Sequence, residues 1–181
     1  MITSREDYLR YLEADRIALC RTKSLLRLWF DDVWKFQRLM RQLEYLVNCK
    51  KSRLLRLVTH YRYRKLGIKL GFSISINTFG PGLSIAHYGT IVVNGGARVG
   101  ANCRLHVGVV IGTEAGKRSD APTIGDNCYI GPGAKLFGKI RIGHNVAIGA
   151  NAVVTKSFEE GTVTLAGVPA RVISSKGSIG L

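Results

Sequence analysis

A chain of 181 residues and 19.9 kDa has the size of one domain, and its hydrophobic content of 46% excludes a disordered polypeptide. The first twenty residues, MITSREDYLRYLEADRIALC, mix acids with bases and hold no unbroken apolar core, which argues against a secretory leader and predicts a cytoplasmic protein. A net charge of +15 points to an anionic partner, whether nucleic acid, membrane or a polyphosphate cofactor.

Residues 4 to about 70 have helical texture. Ser4, with Asp7 three positions on, and Ser24 are the candidate N-caps. Leu25, Leu28, Trp29, Val33, Phe36, Leu39, Met40, Leu43, Leu46 and Val47 recur at three- and four-residue steps with charges between them, which predicts an amphipathic helix. Asp31, Asp32, Lys35, Arg38 and Arg41 interrupt that stretch, so it cannot cross a hydrocarbon layer. A further helix is expected from Ser52 to about Lys65, with Gly67 as its C′ residue. Met1 to Phe72 holds 17 Lys and Arg against 7 Asp and Glu, +10 of the total +15. This basic, Trp-bearing helical part suits either peripheral contact with a membrane face or packing across subunits.

From about Phe72 a six-residue period replaces the helical one. Its hexads begin at Phe79, Ile85, Ile91, Val99, Leu105 and Ile111, and again at Ile124, Ile130, Leu136, Ile142, Ile148 and Val154. The first position is almost always branched and apolar, the second is often Gly, and the fifth is small or modest in size. That grammar predicts a parallel β-helix, in which three short strands make one triangular coil and the first-position residues stack as a core. Two places break the period. Eight residues separate Ile91 from Val99, an excess assigned to Gly95 and Gly96, and thirteen separate Ile111 from Ile124. The second break must project as a loop, where function tends to sit. The expected organisation is a helical region over 1–70, a coil domain over 71–173 with its loop at 113–123, and a C-terminal tail over 174–181.

Cys20, Cys49, Cys103 and Cys128 show neither CxxC pairing nor Cys/His ligand spacing, so no disulfide and no structural zinc is expected. No helix-turn-helix, RNA-binding strand motif or zinc finger accompanies the positive charge, and a nucleic-acid partner is not expected.

The hexads, together with HYGTIVV, the loop before PTIGDNCYIGPGAKLFG and the closing AGVPARVI, resemble the serine acetyltransferase family of hexapeptide-repeat O-acetyltransferases from about Phe72 to Ile173. The resemblance implies a mainly β fold, a left-handed parallel β-helix behind an N-terminal α-helical region. It also implies a homotrimer with active sites between subunits, acetyl-CoA as co-substrate, and no metal. His87 matches the family's catalytic base, and an imidazole with a pKa near working pH suits removal of a proton from an alcohol as its oxygen attacks a thioester. By the same resemblance the acyl end of coenzyme A lies around Gly112 and Thr113, and its pantetheine arm passes Pro132 and Ala150. Lys117, Arg118, Lys135, Lys139, Lys156 and Arg171 are candidates for its phosphates. Asn94, His106 and Asp120 are the candidate acceptor residues.

The departures from the family concern the acceptor. The Asp that precedes the family's catalytic His is Ala86 here, its Asp-Ile-His-Pro acid falls near Ser73 or Ser75, and its Arg-His in the loop corresponds to Asp120 and Ala121. The acceptor hydroxyl is therefore either that of L-serine or that of a sugar, as in capsule-precursor acetylation. A zinc carbonic-anhydrase-like trimer would need His87, His106 and His144 to converge, yet hexad counting puts His144 on another side of the prism. A non-enzymatic binding module is the remaining rival. His60 is expected at the surface.

Overall fold

A computed structural model describes residues 1–20, 31–114 and 120–180. Among the described residues three helices come first: α1 (Arg5–Ala18), α2 (Asp32–Asn48) and α3 (Arg53–Leu70). The Ser4 hydroxyl caps α1 by accepting from the Asp7 N–H at 3.0 Å. The cap of α2 is Asp31, whose carboxylate accepts from the Trp34 N–H. Ser24, Leu25, Leu28 and Trp29 lie outside the described residues. Within α2 the periodic residues Val33, Phe36, Met40, Leu43 and Leu46 are buried.

The third helix runs past the expected stop. Gly67 is helical and packed against Phe36, and a Cβ there would stand 2.9 Å from the Phe72 carbonyl oxygen. Its role is close packing. The helix ends instead at Gly71, whose φ of +79° is the left-handed conformation that ends helices at glycine.

Fourteen short strands follow among the described residues, in coils of three faces. The first face carries β1 (Phe72–Ile74), β3 (Ile91–Val93), β6 (Val110–Gly112), β9 (Lys135–Phe137) and β12 (Val153–Val154). The second carries β4 (Arg98–Val99), β7 (Thr123–Ile124) and β10 (Arg141–Ile142). The third carries β2 (Ser84–Ile85), β5 (Arg104–Leu105), β8 (Tyr129–Ile130), β11 (Ala147–Ile148), β13 (Thr164–Ala166) and β14 (Arg171–Ser174). Every pairing is parallel except that of β14, which returns antiparallel to β13. Inward residues stack in register: Ile74, Val93, Ile111, Leu136 and Val154 on the first face, and Ile85, Leu105, Ile130, Ile148 and Leu165 on the third. Phe79, Val99, Ile124, Ile142 and Phe158 form the second column.

This register relocates the first break in the period. Val93, not Ile91, occupies the first-face column, so the eight-residue step runs from Ile85 to Val93 and the step from Val93 to Val99 is an ordinary six. Gly95 and Gly96 sit in a normal corner turn closed by Asn94. The two extra residues fall in the turn that carries His87, leaving Tyr88 exposed and Gly89 hydrogen-bonded to the last carbonyl of α3, Leu70, at 2.9 Å. The reason is that α3 ends against this turn, and the lengthened turn reaches up to meet its free carbonyls.

The helices are fastened to the first coil by a buried ion network. Arg41 forks onto Asp15 at 2.8 and 3.2 Å, reaches Glu44 at 3.0 Å, and donates to the carbonyls of Phe79 and Gly80. Asp15 in turn accepts from the N–H groups of Gly82 and Leu83, both at 2.9 Å. Burial opposes the guanidinium charge, but the carboxylates of Asp15 and Glu44 outweigh it and hold Arg41 above its ordinary pKa. At the corners between the second and third faces, Asn102, Asn127 and Asn145 adopt positive φ and link by side-chain amides at 3.0 Å.

Among the described residues, no helix is long and apolar enough to cross a membrane. Cys103 and Cys128 are buried neighbours in successive coils, and burial pushes the Cys128 thiol up to about 11.

Candidate active site

His87 stands at the corner between the third and first faces. It is exposed, and Ala86, the residue before it, spends its N–H on the Leu105 carbonyl at 3.0 Å. One coil below, His106 holds the place that registers with Ala86, and its N–H donates to the Ile130 carbonyl. The two imidazoles lie 6.4 Å apart between ring centroids, and His106 packs on Tyr129 at 4.9 Å. Nε2 of His106 is shut off from solvent and meets no hydrogen-bond partner among the described residues. Burial, then the Arg104 charge and then His87, lower the His106 pKa. An NMR titration of His106 is expected to find its midpoint below the ordinary imidazole value of about 6.5.

The sequence-predicted residues separate into two corners of one protomer. Pro132 and Ala150 follow the third-face columns at Ile130 and Ile148, so they line up below His87 and His106, and both are exposed. Asn94, Gly112, Thr113 and Lys156 follow the first-face columns, on the next corner of the prism. The side-chain oxygen of Asn94 is engaged by the Gly96 N–H at 2.8 Å, closing its own turn. Gly112 sits against the Phe137 ring, where a Cβ would come within 2.9 Å, and Thr113 is half-buried. Lys135 lies on the first face with its ammonium on the Gly133 carbonyl, and Arg171 is exposed on β14. Asp120 is half-buried where the chain re-enters the coil, while Lys117 and Arg118 lie outside the described residues.

His144 lies on the third corner, between the second and third faces, with Nδ1 accepting from the Asp126 N–H at 3.0 Å. Among the described residues no three His, Cys, Asp or Glu side chains are grouped to hold a metal ion. Sequence reasoning missed Arg104 and Tyr129, the outward residues of β5 and β8 that flank His106. Only register, not spacing to a motif, puts them there.

The stacked hexads define a β-helix of transferase-type repeats: residues 121–156 match the bacterial transferase hexapeptide (six repeats) family. That class of coil is left-handed, an exception to the usual right-handed crossover. The relatives are serine acetyltransferases. The chain is 40% identical over 101 residues to the enzyme of Synechococcus elongatus, covering 54% of this chain and 40% of that one. It is 37% identical over 131 residues to the enzyme of Staphylococcus xylosus, covering 71% and 58%. The chain thus spans about half the length of the curated relatives it matches. Among solved structures, serine acetyltransferase from Brucella abortus strain S19 superposes with a TM-score of 0.76 at 27% identity, over 96% of this chain and 72% of that one. The same enzyme in complex with coenzyme A gives a TM-score of 0.75 at 26% identity, over 96% and 70%.

Proposed function

We propose that the protein is an acetyl-CoA-dependent O-acetyltransferase that works as a homotrimer, with His87 as general base. The observation that carries this reading is the division of the site between two corners. The His87 corner holds the base and the line of Pro132 and Ala150, whereas Gly112 and Thr113 stand on the next corner of the same prism. Side-by-side packing of prisms would bring the first corner of one subunit against the second corner of its neighbour and complete the site between them.

The reaction uses few groups. The imidazole of His87 takes the proton of the acceptor hydroxyl as its oxygen attacks the thioester carbon. The tetrahedral oxyanion formed needs an N–H donor, for which the Gly112–Thr113 backbone is the candidate. Collapse breaks the carbon–sulfur bond, and the proton held by His87 goes to the departing coenzyme A sulfur. No acyl-enzyme is required.

The relatives support L-serine as acceptor. A sugar hydroxyl is the second reading, favoured by Ala86, Asp120 and Ala121 standing where the family holds the polar groups of its amino-acid site. An acetyl-CoA consumption screen across L-serine, homoserine, simple sugars and nucleotide-activated sugars decides between them, with light scattering on the same sample to count subunits. Transfer to no hydroxyl, or a monomer that is fully active, would remove the reading.

The loop offers an independent check. Ile111 and Ile124 belong to successive columns but stand thirteen residues apart where six suffice. Replacing Glu114 to Asp120 by a short Gly-rich link should raise the KM for acetyl-CoA or acceptor about tenfold while leaving the melting temperature nearly unchanged. Thermal denaturation and steady-state kinetics on the same variant measure both.

A further inference from the structure

We infer that the outward face of α3 docks on the surface of a bilayer that contains anionic phospholipid. The inference goes beyond acetyl transfer and does not depend on it. Three observations carry it.

The first is an exposed apolar stripe. Helix α3 buries Thr59, Tyr63, Gly67 and Leu70 on its inner side. On the opposite side Leu54, Leu57, Val58, Tyr61 and Ile68 recur at helical steps, each between 47% and 73% exposed. Single exposed apolar residues are ordinary, but a row of them along about four turns marks a docking surface. The second is the charge that flanks the stripe. From Arg53 to Leu70 the helix holds six Lys and Arg and no Asp or Glu. By helical position Arg53 and Arg64 border the stripe on one side and Arg62 and Lys69 on the other, with Lys65 inside it. Long basic side chains lay their stems along apolar surface and lift the charge to headgroup level, which is how an interfacial helix is built.

The third is a recess for a headgroup. Arg62, Lys65 and Lys69 face Lys35 and Arg38 of α2 across a cavity of about 660 Å³. Asp32 is engaged there by Lys35 at 3.0 Å and by Lys69 at 2.6 Å. Arg38, Arg62 and Lys65 have no acidic partner among the described residues. A lipid phosphate supplies the acceptor oxygens that such cations lack.

Charge selects the occupant. Two copies of α3 packed stripe to stripe would set like charges against each other. The whole chain holds 12 Asp and Glu against 27 Lys and Arg, so a second copy has little acid to offer these cations. A bilayer with anionic headgroups meets the stripe and its flanks together.

The test is co-sedimentation of the full chain with vesicles of phosphatidylcholine alone and of phosphatidylcholine mixed with phosphatidylglycerol. The wild type should bind the mixed vesicles about tenfold or more tightly than the neutral ones, and lose that binding as salt rises. Arg62→Gln with Lys65→Gln should weaken it roughly thirtyfold, about fivefold for each cation near the surface. Leu57→Asn with Tyr61→Asn should weaken it about tenfold or more. Arg98→Gln with Arg141→Gln removes the same charge from exposed sites on the second face and should leave binding unchanged. Each variant should keep the melting temperature and the subunit count of the wild type. Equal affinity for the two vesicles, binding to neither, unchanged binding by Leu57→Asn with Tyr61→Asn, or equal losses from the α3 and second-face charge variants would overturn the inference. A lower subunit count for Leu57→Asn with Tyr61→Asn would also overturn it, because the stripe would then be an interface between copies.

Discussion

His87→Ala is expected to lower kcat by about 10² to 10⁴-fold, the range over which a positioned general base acts. The substitution should leave coenzyme A binding, followed by calorimetry, and the melting temperature unchanged. The structural reason is that His87 is exposed, at a corner turn lengthened by two residues, and contributes nothing to the stacked columns. Near-wild-type turnover would reassign the base. The same variant should fail with every acceptor that the wild type uses, because removing the proton from a hydroxyl is common to all of them.

Arg41→Ala should cause the largest loss of stability of any single substitution at the junction of helices and coil. The side chain is fully buried and bonds two carboxylates and two backbone carbonyls at once. Removing it strands Asp15 and Glu44 as buried unpaired acids, at a cost of about 3–5 kcal/mol. For a chain of this size that lowers the melting temperature by roughly 6–20 °C. Arg41→Lys should fall between the two, since an ammonium cannot reproduce the forked contact to Asp15. A melting temperature within about 2 °C of wild type for Arg41→Ala would show that the network does not clamp the helices to the coil. The loss should also reach the candidate site, because Asp15 holds the N–H groups of Gly82 and Leu83, immediately before the strand that leads to His87.

How much of this was legible beforehand differs by element. The coil was legible because each turn repeats the same demand at the same step: a branched apolar residue inward, a small residue or glycine at the corner. The cap at Ser4 was legible for a similar reason, since donor and acceptor lie three residues apart. Gly67 carries the usual mark of a helix end, yet the third helix runs on to Leu70. Only its tight seat against Phe36 and the Phe72 carbonyl shows that glycine was needed there for space. The excess expected at Gly95 and Gly96 belongs one corner earlier, in the His87 turn, because Ile91 and Val93 fit the apolar column equally well by type.

The sequence by itself determined the parallel coil, its projecting insertion and a histidine at a corner, since all three follow from a local period and its interruptions. Tertiary structure alone decided which residues share a corner, that Arg41 joins Asp15 across 26 positions and Phe79 across 38, and that Tyr129 and Arg104 flank His106. Those contacts depend on the register between coils. A shift of two residues in one turn redistributes every neighbour without altering the pattern along the chain, so the pattern cannot reveal them.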